Sequence, residues 1–491
     1  MATHKWLALF LAHTEKYTET DEIATEIDIT NERFYEQILK NLKKSNPSKD
    51  IDIVLINTIL DRTKSPVTYT TFVNHFKNNW YSLINLRMPP GFEIQNEDQL
   101  ADIFTQIKVK YKPDRVMLFT YGHGSAFGIF SITSIENSVS HFYRLAGRNV
   151  SLKNSRVGSN DLSDILKLKD YSFNFKPVSA VSVKNENGLK KILDYIIINR
   201  DSRNSDVSNS TSISNPPGAN IPTAIKLISN EGLATAIAKS FGKIDLLIFN
   251  NCVMQNVYSQ FAFREITDFI IAPQSGITVP GFNLINLIEI LNVNNSCSSD
   301  VIAKAIVNDF NVRADYTDVE ISLIKLYAVV AVRLGENYKP FINILIKIKE
   351  ILSKSLKNDD EFDEKIDDSL RLDCYPYEFN TNTGKTMIDL LQFISTEKMR
   401  QNKEFAKIRN DLSKFVENNT YRYIGEDIFN QNGGVYDNQQ TSGLCIYFPR
   451  TYENINEILN PFYTSENYSS AFDKVVKWEE FIASYLAKRM V

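Results

Sequence analysis

Residues 243–282 read KIDLLIFNNCVMQNVYSQFAFREITDFIIAPQSGITVPGF. The apolar runs 244–249 (IDLLIF) and 269–272 (FIIA) suit buried strands, and residues 254–264 between them read as a helix. Two strands joined through a helix imply parallel neighbours in a covered sheet. The same alternation occurs upstream. KWLALFLA (5–12), IDIVLINT (51–58) and RVMLFTY (115–121) are apolar runs of strand length. A helix is expected over 31–44, with Phe34, Ile38, Leu39 and Leu42 on one face. A second is expected over 97–109, with Leu100, Ile103, Phe104 and Ile107 as its stripe and Asn96 with Gln99 as its capping box. The fold class is therefore α/β, a mostly parallel sheet with helices on both faces.

Four parts are expected along the chain. Residues 1–133 form the first half of the core. Residues 134–222 are an insertion, with one helix near 188–198. It ends in a linker at 201–222 (DSRNSDVSNSTSISNPPGANIP), too poor in large apolar groups to order itself. Residues 223–295 complete the core, with a further helix marked by Leu233, Ile237 and Phe241. Residues 296–491 are largely helical, with the stripe Ile344, Leu345, Ile348 and Leu352, and return a late strand at 443–449.

Composition narrows the function. Of 491 residues, 43% are hydrophobic and 23% charged, the balance of a globular protein that needs neither disulfides nor metals to fold. Net charge is −4, which argues against a broad nucleic-acid surface. No apolar run approaches the ~20 residues that span a bilayer. The run 5–12 is followed by His13-Thr14-Glu15-Lys16 rather than a small-x-small cleavage site. It reads as the first strand, and the chain as cytoplasmic, or secreted if a leader has been removed.

Chemistry can gather at two strand ends. Strand 115–121 runs into Gly122-His123-Gly124-Ser125, and strand 244–249 into Asn250-Asn251-Cys252. In parallel α/β sheets, reactive groups collect beyond the carboxyl ends of strands. Cys252 there can serve as a nucleophile once ionised, helped by the N-terminus of the following helix. His123 can act as general acid and base. The backbone N–H groups of Gly124 and Cys252 can form an oxyanion hole. The plainer reading is that Cys252 is a small core hydrophobe, as Cys445 in its apolar strand is expected to be. Cys297 and Cys374 have no neighbouring histidine in sequence. His4, His13, His75 and His141 read as surface or structural.

These residues carry a resemblance. His-Gly after one strand and x-x-Cys after the next resemble the clan CD cysteine peptidases, and 243–282 is similar to the nucleophile block of the clostripain-like family. HKWLALFLAH (4–13), MIDLLQFI (387–394), GLCIYFP (443–449) and KWEEFI (477–482) resemble further segments of that family in order. The resemblance implies a caspase-like fold and an endopeptidase with His123 and Cys252 as its dyad. It also implies a protein or peptide substrate and synthesis as a precursor cut between the His and Cys segments. Calcium dependence is implied too, without a locatable site; no cofactor is required for the chemistry, and a regulatory protein partner is left open. The family usually has Asp two residues before the Cys, selecting Arg or Lys at P1. Here that position is Asn250, and 269–288 holds no Asp or Glu. The expected substrate contacts, Asn250, Gln274 and Ser275, are neutral, so the basic preference is expected to weaken. The alternative is a catalytically quiet member that binds peptides or acts as a scaffold.

Overall fold

Strand β1 (Trp6–Lys16) lies between β2 (Ile51–Asp61) and β5 (Arg115–Tyr121), parallel to both. Its side chains alternate between two cores. Leu7, Leu9 and Leu11 face one, and Trp6, Ala8, Phe10 and Ala12 the other. A strand buried on both faces must be apolar at consecutive positions, and this one is. The computed structural model describes residues 4–16, 38, 40–61, 68–77, 80–83, 86, 92, 94–124, 126–132, 225–274, 277, 281–314, 328–371, 387–424, 428–429, 435–436, 442–448 and 471–489. The insertion helix near 188–198 and the linker 201–222 lie outside them. Of the helix expected over 31–44, residues 38 and 40–44 are described, and they are helical.

Among the described residues the main sheet has nine strands. β9 (Ile244–Asn250) pairs with β5, and β10 (Thr267–Pro273) with β9, both parallel, so β2, β1, β5, β9 and β10 form a parallel centre. Antiparallel strands flank it. β3 (Thr68–Lys77) and β4 (Trp80–Leu83) extend the β2 side, and β11 (Ala328–Arg333) and β13 (Thr420–Ile424) the β10 side. None of these four was visible as a strand in the sequence. A small separate sheet joins β6 (His123–Gly124), β7 (Gly128–Ile132) and β8 (Ile225–Ser229).

Helices cover both faces, as expected. α1 (Glu97–Tyr111), capped by the Asn96 side chain, and α2 (Asn230–Ser240) lie together on one face, with the Phe104 and Phe241 rings 5.7 Å apart. α3 (Val257–Phe263) shares that core. α4 (Leu284–Val293) and α5 (Ser299–Ala314) fill the other through Leu287, Ile288, Ile302 and Phe310. The C-terminal region extends the first core through α6 (Lys339–Asn358), α7 (Phe362–Arg371), α8 (Leu390–Ser395), α9 (Lys403–Asn419) and α10 (Trp478–Arg489). Its late strand, β14 (Cys445–Tyr447), pairs antiparallel with β12 (Met387–Asp389), apart from the main sheet. No helix among the described residues is long and apolar enough to cross a membrane.

Candidate active site

Adjacent parallel strands end together where β5 meets β9, with Tyr121 opposite Asn250. Just beyond, the chain of Gly122-His123-Gly124 meets that of Asn251-Cys252. Gly122 has φ +146°, and a Cβ there would press on the His13 carbonyl at 3.0 Å. At Gly124 a Cβ would collide with the Cys252 carbonyl oxygen and lie 2.9 Å from the Cys252 nitrogen. Only a glycine lets these backbones approach so closely. The two N–H groups expected to form an oxyanion hole thus belong to segments in direct contact. His123 opens β6, opposite Phe130 of β7.

Cys252 is half-buried. The Ile277 N–H donates to its Sγ at 3.4 Å, and the thiol donates to the Ile277 carbonyl at 3.6 Å. The backbone of Ile277 therefore lies against the sulfur. The helix after Cys252 begins later than the expected 254, at Val257. The Asn256 side chain already accepts from the Tyr258 and Ser259 N–H groups at its N-terminus. The first N–H groups of that helix are thus capped by Asn256 rather than turned to Cys252.

Cys445 presents the contrast. It is fully buried, and burial together with the nearby Asp389 carboxylate pushes its thiol well above the usual range. That is the inert state of a structural cysteine. Cys297 lies apart, its carbonyl accepting from Arg115 at the opposite end of β5. Cys374 and His141 lie outside the described residues.

The pocket residues separate. Asn250 is buried, accepts from the Phe282 N–H at 3.4 Å, and lies against Gly281, whose Cβ would collide with its Oδ1. Gln274, expected to contact substrate, has its amide engaged elsewhere. Its Nε2 donates to Asp389 at 2.7 Å, and its Oε1 accepts from the Gly443 N–H at 2.6 Å. It anchors the loop from behind. Ser275 lies outside the described residues. Asp389 also accepts from the Ser442 N–H and hydroxyl and from the Gln392 N–H. Burial pushes its carboxyl up in spite of these donors, which pull it down. Four donors use the lone pairs a carboxylate offers, so Asp389 has none left for a substrate cation.

Sequence reading missed three residues here. His13, taken as surface or structural, is 3% exposed and packs on Gly122. Asn251 and Asn256 are fully buried between the His and Cys segments. The Asn-Asn pair before the cysteine was plain in the sequence, but its long-range partners were not. Among the described residues no group of three or more His, Cys, Asp or Glu side chains could hold a metal ion, so none of them is assigned to calcium.

No curated protein matches the chain. An inactive zymogen C11 protease from Parabacteroides distasonis is similar in structure at 12% identity, with 97% of this chain and 99% of that one covered and a TM-score of 0.46. A secreted C11 cysteine protease from Bacteroides thetaiotaomicron, in complex with an irreversible peptide inhibitor, is similar at 9% identity, with 96% and 99% covered and a TM-score of 0.46. The model of the clostripain family matches residues 226–485, more than half of the sequence and including Cys252. The chain belongs to the clostripain family and is a cysteine peptidase.

Proposed function

We propose that the protein is an endopeptidase in which Cys252 is the nucleophile and His123 the general acid and base. The observation that carries this reading is the contact of Gly124 with Cys252 at the carboxyl ends of neighbouring strands. It brings the only His-Gly of the sequence against the backbone of a half-buried cysteine. The Cys252 thiolate attacks the scissile carbonyl carbon, and the N–H groups of Gly124 and Cys252 receive the oxyanion. The C–N bond breaks as His123 gives its proton to the leaving amine. Water, deprotonated by His123, then attacks the thioester and releases the acid and the thiolate.

Asn250 forms the floor of the pocket for the P1 side chain, and Gln274 is held behind it by Asp389 and Gly443. The pocket is neutral. A buried Arg or Lys there would lose hydration without a carboxylate partner, so small or hydrogen-bonding P1 residues suit it better. The intact chain is held at low activity until it is cut within 134–222. That reading is supported by the polar composition of 201–222 and by the backbone of Ile277 against Cys252 Sγ. Arg200 and Arg203 are the candidate cut sites for a basic-specific protease. Its partner is a protein or peptide substrate.

The test is cleavage of a peptide library by the wild type, Cys252→Ala and His123→Ala. Cys252→Ala abolishes cleavage and His123→Ala nearly does, with both variants folded. Full activity in either variant overturns the dyad.

A further inference from the structure

Two buried asparagines join the backbone that carries His123 to the backbone that carries Cys252. Asn251 Nδ2 donates to the Gly122 carbonyl at 2.9 Å, and its Oδ1 accepts from the Thr120 hydroxyl at 2.7 Å. Asn256 Nδ2 donates to the Ala126 carbonyl at 3.1 Å and to the Val253 carbonyl at 2.8 Å. Both side chains are 0% exposed. Gly122 and Ala126 stand on either side of His123-Gly124-Ser125. Asn251 and Asn256 stand on either side of Cys252. Each end of one segment is thus tied to an end of the other, with Gly124 pressed on Cys252 between the ties.

Ordinary structural needs do not explain both amides. Capping α3 needs only the Asn256 oxygen, which accepts from Tyr258 and Ser259. Its nitrogen is left to reach across to Ala126. At position 251 a small apolar residue would fill the end of a buried strand without placing a polar group there, and burying an amide is costly unless every atom is paired. Here each Asn251 amide group has a partner. The Ala126 carbonyl gathers further donors, from Asn230 Nδ2 at 2.9 Å and the Ser259 hydroxyl at 3.3 Å. A residue just beyond each segment is held in unusual backbone as well. Val253 has φ +59° and Ala126 φ +66°, a conformation that costs a β-branched residue most and persists only where the surroundings impose it.

We propose that Asn251 and Asn256 are positioning residues for the peptidase reaction, an amide clamp that sets where His123 stands relative to Cys252. The clamp rests on the dyad reading. Misplacing a catalytic group by about 1 Å costs roughly a hundredfold in rate, and the clamp is what prevents that displacement.

Asp substitutions separate the clamp from the fold. Asn256→Asp keeps the oxygen that caps α3 but turns carboxylate lone pairs toward the Ala126 and Val253 carbonyls. Asn251→Asp keeps the acceptor for Thr120 and loses the donor to Gly122. The measurements, on the full chain after nicking, are kcat, KM, melting temperature and the pH profile of Cys252 alkylation by iodoacetamide. Each variant is expected to lose about a hundredfold in kcat with KM within about threefold. The alkylation profile is expected to move toward that of His123→Ala. Thr120→Val, which preserves volume and removes the hydroxyl, gives a smaller loss in the same direction and serves if an Asp variant does not fold. Unchanged kcat and an unchanged alkylation profile in folded variants overturn the clamp. So does a loss that follows only the folded fraction. Full cleavage by Cys252→Ala in the wild-type background fails the dyad instead, and the clamp falls with it.

Discussion

Gly124 and Cys252 touch backbone to backbone, so closely that a methyl group on Gly124 would overlap the Cys252 carbonyl oxygen. Gly124→Ala must therefore separate the two segments. Its expected effect is a loss of roughly a hundredfold or more in kcat, because both oxyanion donors move. Steady-state kinetics on the purified variant check this, and activity within a few fold of the wild type contradicts it.

On the proposed reading of the site, Asn250 sets the charge of the pocket floor. Asn250→Asp is expected to raise preference for Arg or Lys at P1 by ~30–4000-fold, the equivalent of ~2–5 kcal/mol for a desolvated charge pair. A library cleavage profile of both proteins reads this directly. A wild type that already prefers Arg or Lys by more than about a hundredfold contradicts the neutral pocket.

Asp389 links pH to stability. Burial raises its carboxyl above the ordinary aspartate range in the folded chain. The folded state therefore holds the proton more tightly than the unfolded state does. The sign follows: its contribution is fullest below the ordinary carboxylate value and declines as pH rises through the raised one. Asp389→Asn exchanges one carboxylate oxygen for an amide nitrogen, so it no longer accepts from Ser442, Gln392 and Gln274 together, and it is expected to cost about 1–3 kcal/mol. Urea unfolding at about pH 4 and pH 7 should show that cost shrinking toward neutrality. A cost that grows with pH contradicts this account.

The insertion supplies a prediction of control. Cleavage within 134–222 is expected to raise activity on a peptide substrate, and an uncleavable linker in place of 201–222 is expected to keep it low. Equal turnover by the uncut and nicked chains contradicts the control.

The parallel centre of the sheet was legible because strands buried on both faces leave unbroken apolar runs, as at 51–58, 115–121 and 244–249. The flanking strands were not. β3 reads TYTTFVNHFK, where threonines pair across strands (Thr58 and Thr71, 3.0 Å between hydroxyl oxygens) and Val73 and Phe76 reach different cores on opposite faces, so no unbroken apolar run marks the strand. β11 reads AVVAVR, a short run that periodicity cannot tell from buried helix. His123 and Cys252 stood out because each follows directly on a strand. Asn251 and Asn256 did not, because an asparagine announces a cap or turn locally, while their partners Gly122 and Ala126 lie far away in sequence. Gln274 misled for the same reason, since its partners Asp389 and Gly443 come from the C-terminal region.

In the proposed dyad, Cys252 is activated by its neighbourhood while the other cysteines are not. Iodoacetamide labelling of the nicked chain, followed site by site by mass spectrometry, tests it most directly. The account predicts that Cys252 reacts at least about a hundredfold faster than Cys297, Cys374 and Cys445 near neutral pH, as a low-pKa thiolate should. It also predicts that His123→Ala removes most of that advantage. A Cys252 that labels no faster than Cys297, or whose rate is indifferent to His123, would contradict it.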